Sequence, residues 1–226
     1  MKKLLFAIMA IVLCVGLIGG AFAYFTDTQA SSNNVFASGN IQLSMANSSG
    51  VFSHSNDVVI GGGTNMAPGH EVGPFTVYFK NTGTVSGVVT AVVSYNTSIP
   101  GSDAYAEKLI VSTVTADGGS TNVAPYWAEQ IVNTQGWTWQ QGIDNGYIVA
   151  SNAAGLAYPY LPTIYGLQTV VLHFSPYLGP STFADAPLAP GTYHYEMMSI
   201  MLDPTAGNTF QNNSMPIIVT GTITSN

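Results

Sequence analysis

The chain has 226 residues, 46% hydrophobic and only 7% charged, with four Lys, no Arg and eleven Asp plus Glu, for a formal charge of −7. It cannot lay down the basic stripe that nucleic acid or an anionic lipid surface requires, and its Val-, Ile-, Tyr- and Thr-rich apolar content favours a strand-built fold over disorder. The single Cys, Cys14, excludes an intrachain disulfide, and its place in an N-terminal apolar run leaves the rest of the chain without a thiolate metal site or thiol nucleophile.

Lys2-Lys3, an apolar run from Leu4 to Ile18, and Ala21-Phe22-Ala23 form the three parts of a secretory signal. Cleavage is expected after Ala23, so that residues 1–23 are a leader and Tyr24 begins the mature chain. The alternative is a retained membrane anchor, since the apolar run is close to spanning length. Residues 24–38 are polar, without Gly, Pro or a helical stripe, and read as an extended arm. Its large apolar side chains include Phe25, Val35 and Phe36.

From residue 39 to 226 a single domain is expected. Ile41, Leu43 and Met45 alternate with polar residues as a half-buried strand, and Val58-Val59-Ile60 is a second strand. A turn at Met66–His70 leads to Phe75, Val77 and Phe79, alternating with Thr76, Tyr78 and Lys80. Asn81–Thr84 is a further turn before Val89, Ala91, Val93 and Tyr95, and this pair reads as a hairpin. Leu109–Thr115 is a strand, and Asp117-Gly118-Gly119 reads as a hairpin turn. Residues 125–165 form an aromatic-rich insertion, opened by a short helix over Pro125–Gln135 with Pro in its first turn. Strands return at Thr169–Phe174, at Tyr193–Ser199 (Tyr193, Tyr195, Met197 and Ser199 alternating) after a turn at Leu188–Gly191, and at Pro216–Thr224. About eight strands with frequent turns predict an all-β antiparallel sandwich.

The four histidines, His54, His70, His173 and His194, form no metal-binding spacing. His173 and His194 both fall on strands and would need to meet across a sheet. No calcium loop, nucleophile elbow or phosphate loop is present. The reading is therefore of a non-enzyme with no cofactor and no metal. Trp137 and Trp139, two apart, either pack the insertion or offer a lateral or sugar-stacking surface. Asn47, Asn96 and Asn212 begin N-x-S triplets, which are glycan acceptors in a secreted protein.

Four segments carry a family resemblance: Ala23-Tyr-Phe-Thr-Asp-Thr at the leader junction; Phe36-Ala-Ser-Gly-Asn-Ile-Gln-Leu-Ser; Met66-Ala-Pro-Gly with Phe75-Thr-Val-Tyr-Phe-Lys-Asn-Thr-Gly-Thr; and Phe210-Gln-Asn-Asn-Ser before the last strand. Together they resemble the TasA/camelysin family, secreted biofilm-fibre proteins of bacteria with archaeal bundling-pilin relatives. His70 stands where that family often has Asp. The resemblance implies a jelly-roll-like sandwich that polymerises head to tail, donating its arm as a strand to the next subunit and bundling with neighbouring filaments. The arm residues concerned would be Tyr24, Phe25, Thr26, Thr28, Ala30, Val35 and Phe36. It implies a secreted, extracellular homopolymer serving cell adhesion, with no nucleic-acid partner and no membrane in the mature form. The competing expectations are a monomeric carbohydrate-binding adhesin and a camelysin-like secreted metallopeptidase.

Overall fold

The computed structural model describes residues 39–53, 55–60, 66–151, 159–173, 187–210 and 213–225. The leader and arm readings (residues 1–38), His54 and Asn212 lie outside them. The strands are β1 (Leu43–Ala46), β2 (Asp57–Ile60), β3 (Glu71–Asn81), β4 (Gly87–Tyr95), β5 (Leu109–Ala116), β6 (Ile148–Ala150), β7 (Tyr160–Pro162), β8 (Leu172–His173), β9 (Tyr193–Leu202) and β10 (Ile217–Ser225). The helices are α1 (Ser102–Ala106), α2 (Ala124–Gln135), α3 (Trp139–Asp144) and α4 (Ile164–Leu167).

Sheet A has the order β1-β3-β9-β5 and sheet B the order β2-β10-β4-β8, with β6-β7 a separate ribbon. Every pairing is antiparallel, and eight strands build the expected all-β sandwich. The sheets face each other through alternate residues: Leu43, Met45, Val77, Phe79, Met198 and Ile200 from A, and Val58, Ile60, Val89, Ala91, Val93, Ile217 and Val219 from B. Each large side chain buried there contributes roughly 1.5–3 kcal/mol. The sheets approach closely at Gly221, where a Cβ would stand 2.6 Å from Met45 Sδ and 2.8 Å from Leu43 Cδ2.

Five local expectations are corrected. β3 and β4 do not form a hairpin: they belong to different sheets, because both neighbours of β3 are already taken by β1 and β9. The Asn81–Thr84 turn is instead an arch between layers. Buried Asn81 holds it, donating from Nδ2 to Val85 O and Leu188 O, both at 2.8 Å, and accepting Gly83 N–H at Oδ1 (2.9 Å). Gly39–Gln42 packs on this arch, with Thr82 N–H donating to Gln42 O (2.8 Å). β1 is buried on both faces, Ser44 included, rather than half-buried.

β9 alternates, but its tyrosines are on the outer side, and His194 and Glu196 take the core positions ahead of Met198 and Ile200. Outside, Tyr78 lies 5.3 Å from Tyr195 and 6.1 Å from Phe52, over which Lys80 Nζ sits at 5.4 Å. Finally, the described part of the Thr169–Phe174 strand shortens to Leu172–His173, and the Asp117 turn leads to α2 rather than to a pairing strand.

The insertion between β5 and β8 is largely helical. Pro125 lies in the first turn of α2, and Ala124, Trp127, Ala128, Ile131 and Val132 give it one buried face. Thr138 and Gln141 close a capping box at the start of α3.

Candidate functional site

Two arrangements can carry function: a polar cluster inside the sandwich, and the edges of its sheets. The cluster begins with the two-residue period of β9, which points His194 and Glu196 to the same side. They are 7% and 5% exposed. Next to them, β5 turns at Asp117 (φ 47°) and Gly118 (φ 74°), a left-handed conformation that Asp tolerates and Gly favours. The turn lays the Asp117 carboxylate on β9. Its Oδ1 accepts Tyr195 N–H (3.0 Å), and its Oδ2 lies 2.7 Å from His194 Nδ1. His194 Nε2 is 2.9 Å from Glu196 Oε1, and Phe79 stacks on the imidazole at 6.4 Å.

Burial opposes a charged imidazole here, but the hydrogen bonds and charges of Glu196 and Asp117 outweigh it and raise the His194 pKa. Burial raises the Glu196 pKa as well; His194 partly offsets this and the Asp117 charge adds to it. At the end of β4, burial and the Asp103 contact raise the Tyr95 hydroxyl pKa. That hydroxyl donates to Asp103 Oδ1 (2.8 Å) and accepts from Gln168 Nε2 (3.0 Å).

His173 and His194 are not brought together: one is exposed on β8 of sheet B, the other buried in sheet A. His70 is exposed in the turn before β3. Trp137 and Trp139 flank the cap of α3, partly buried. Trp137 packs on Tyr147 at 4.9 Å, and Trp139 stacks on Tyr160 at 4.4 Å and 8°. Asn47 and Asn96 are exposed, each accepting a backbone N–H two residues on.

The edges differ between sheets. On β1, Met45 N–H donates to Ser53 O (3.2 Å) and Ser53 N–H to Met45 O (3.0 Å). On β5, Val114 N–H donates to Asn122 Oδ1 and Asn122 Nδ2 donates to Ser112 O, both at 2.9 Å, and Thr163 bridges to Ile110. The outer edges of β1 and β5 are thus covered at Met45, Ile110, Ser112 and Val114. In sheet B, β2 pairs with only Ile217–Thr220 of β10, and Gly221 N–H reaches Asn56 O (2.8 Å). By strand alternation Ile223 and Ser225 point their N–H and C=O groups the same way. Among the described residues no main chain pairs with them there.

This is an antiparallel β-sandwich with an ion-paired polar cluster in its core and, among the described residues, an uncovered stretch of edge on β10. The model of the camelysin metallo-endopeptidase family matches residues 1–109, just under half of the chain, and bears out the TasA/camelysin resemblance over the segment that carries its first three motifs. No curated protein matches the chain.

The family description implies a metal. Among the described residues no group of three or more His, Cys, Asp or Glu is placed to hold one. In the densest cluster, Asp117 and Glu196 occupy opposite ring nitrogens of His194, so the three cannot converge on one ion. The residues described do not fit the group. Among them, too, no helix is long and apolar enough to cross a membrane.

The cluster escaped sequence reasoning because His194 and Glu196 stand where an apolar pair is the usual choice. The His-x-Glu spacing on a strand, and an Asp before Gly-Gly, were the available signals.

Proposed function

We propose that this chain is a secreted structural subunit of an extracellular filament, joined head to tail when the Tyr24–Phe36 segment of one copy adds as a strand to sheet B of the next. The observation that supports it best is a contrast of edges: the outer strands of sheet A are covered at Met45, Ile110, Ser112 and Val114 by Ser53, Thr163 and Asn122, while among the described residues no main chain pairs with the β2 side of β10 at Ile223 and Ser225. An extended segment gains affinity there from main-chain hydrogen bonds and specificity from alternate side chains. Contacts that repeat without closing build filaments. The camelysin match fits a secreted matrix protein. Cleavage after Ala23 and glycans at the exposed Asn47 and Asn96 belong to the same reading, and the N-terminal sequence and intact mass of the secreted protein report on both.

Deleting residues 24–35 from the mature protein is expected to abolish filaments seen by negative-stain microscopy while leaving a folded, β-rich subunit. A Tyr24–Phe36 peptide should then raise the melting temperature of that subunit by mass action. Normal filaments from the truncated chain would overturn the reading. A peptidase reading has the family description in its favour, and chelator-sensitive cleavage of a protein substrate by the purified chain would decide for it.

A further inference from the structure

The His194 cluster has a definite hydrogen count. Contacts of 2.7 Å to Asp117 and 2.9 Å to Glu196 each need a hydrogen, because lone pairs do not face one another at such distances. A neutral imidazole carries one hydrogen on nitrogen. Whether the second arrives as imidazolium or as the Glu196 carboxyl, the cluster holds one proton more than a neutral histidine and two carboxylates. Glu196 adds a second reason, since among the described residues its buried Oε2 has no hydrogen-bond partner, which makes an uncompensated carboxylate costly.

We propose that this cluster is a proton-operated latch: a proton held between His194 Nε2 and Glu196 Oε1 fastens the Asp117 turn of β5 to β9, and its departure at alkaline pH unfastens that turn. With the proton gone, the Nε2 lone pair faces a buried carboxylate. The imidazole is then pushed from its seat, and Asp117 loses its Oδ2 partner. What loosens is the junction between an edge strand and the helical insertion.

The register neighbours of the cluster on β3, β1 and sheet B are mostly apolar. On β3, Phe79 and Val77 lie opposite His194 and Glu196. Lys80 and Tyr78 are register partners of Tyr193 and Tyr195 and share their outer face. Sheet B's buried face is apolar apart from Tyr95, whose hydroxyl is engaged with Asp103, and β1 brings Leu43 and Met45.

The sign follows from linkage. Both raised values, of His194 and of Glu196, mean that the folded chain binds more protons than the unfolded one. For His194 the stabilisation is complete below the ordinary imidazole value of about 6.5, for Glu196 below the ordinary carboxylate value of about 4.3, and each is lost as pH rises through its folded-state value. This subunit is strengthened by mild acid.

The test is a histidine-ring NMR titration of the mature protein, with His194→Gln used to assign the resonance. His194 should stay protonated to higher pH than an ordinary imidazole, and Asp117→Asn, at a partly exposed side chain, should lower its midpoint. In parallel, the melting temperature of the wild type should fall by several degrees from neutral to alkaline pH, and Glu196→Gln should flatten that fall. A His194 midpoint at or below the ordinary imidazole value would overturn the latch, as would an unchanged slope in Glu196→Gln. Should either core variant fail to fold, the wild-type and Asp117→Asn titrations decide alone. None of these readouts depends on filaments.

Discussion

The outer strands of sheet A are covered at Met45, Ser112 and Val114 by groups that imitate a strand, whereas the far half of β10 in sheet B presents main-chain groups with no described partner on the β2 side. On β5 the Asn122 side-chain amide offers one acceptor and one donor at strand spacing, to Val114 N–H and Ser112 O. Proteins usually guard edges with charge, above all Lys, or with Pro. A chain with 7% charged residues has little of the first, and here a neutral amide and a backbone loop do the guarding. The difference teaches that an unguarded edge is not simply a consequence of low charge, because the same chain guards the other sheet without charge.

Three substitutions break or sharpen this contrast. The largest effect is expected from Ile223→Pro, which removes an N–H pointing away from β4, at a position where an edge strand tolerates Pro. Filaments should disappear from micrographs while circular dichroism still reports a folded sandwich; filaments of normal abundance would move the acceptor elsewhere. Asn122→Ala should act on stability instead. It strands Val114 N–H, Ser112 O and the Ala124 N–H that also bonds Oδ1 (3.0 Å), at a cost of about 1–3 kcal/mol. The melting temperature should drop by roughly 2–4 °C for each kcal/mol, and reopening β5 should add self-association visible by light scattering. The smallest effect belongs to Ser53→Pro, which removes one exposed N–H to Met45 O and costs about 0.5–1.5 kcal/mol. Filaments should persist, and their loss would mean that β1, too, is an assembly edge.

Strand existence was legible wherever apolar and polar residues alternate, as at Val77–Phe79, Val89–Tyr95 and Ile217–Val219. Strand pairing was not. A turn such as Asn81-Thr-Gly-Thr has the same local chemistry whether it closes a hairpin or arches between layers, and the choice rests on partners more than 100 residues away, as in the Asn81–Leu188 bond (a separation of 107). The phase of β9 was hidden because two of its core positions are ionisable: they pair with each other, and the further partner of His194, Asp117, lies 77 residues earlier in the chain. α2 was readable from Pro125, whereas α1 and α3 are only five and six residues long, too short for a periodic signal. The edge contrast was not readable at all, because sealing by Asn122 or Ser53 is a property of folded geometry.

The Asn81 arch also governs the order in which this domain can form. The family-matched segment, residues 1–109, ends as β5 begins, yet β3 pairs with β9, and β2 and β4 pair with β10. Of its described strands, β1 and β3 pair within the segment. Three of the four described strands before β5 therefore wait for partners beyond residue 190, and the sandwich stays open until its final strand is in place. Such long-range pairing places folding in the slow, millisecond-to-second class. The first half of the chain is thus a sequence unit but not a folding unit: cut after residue 109, it keeps the first three family motifs and loses the sandwich.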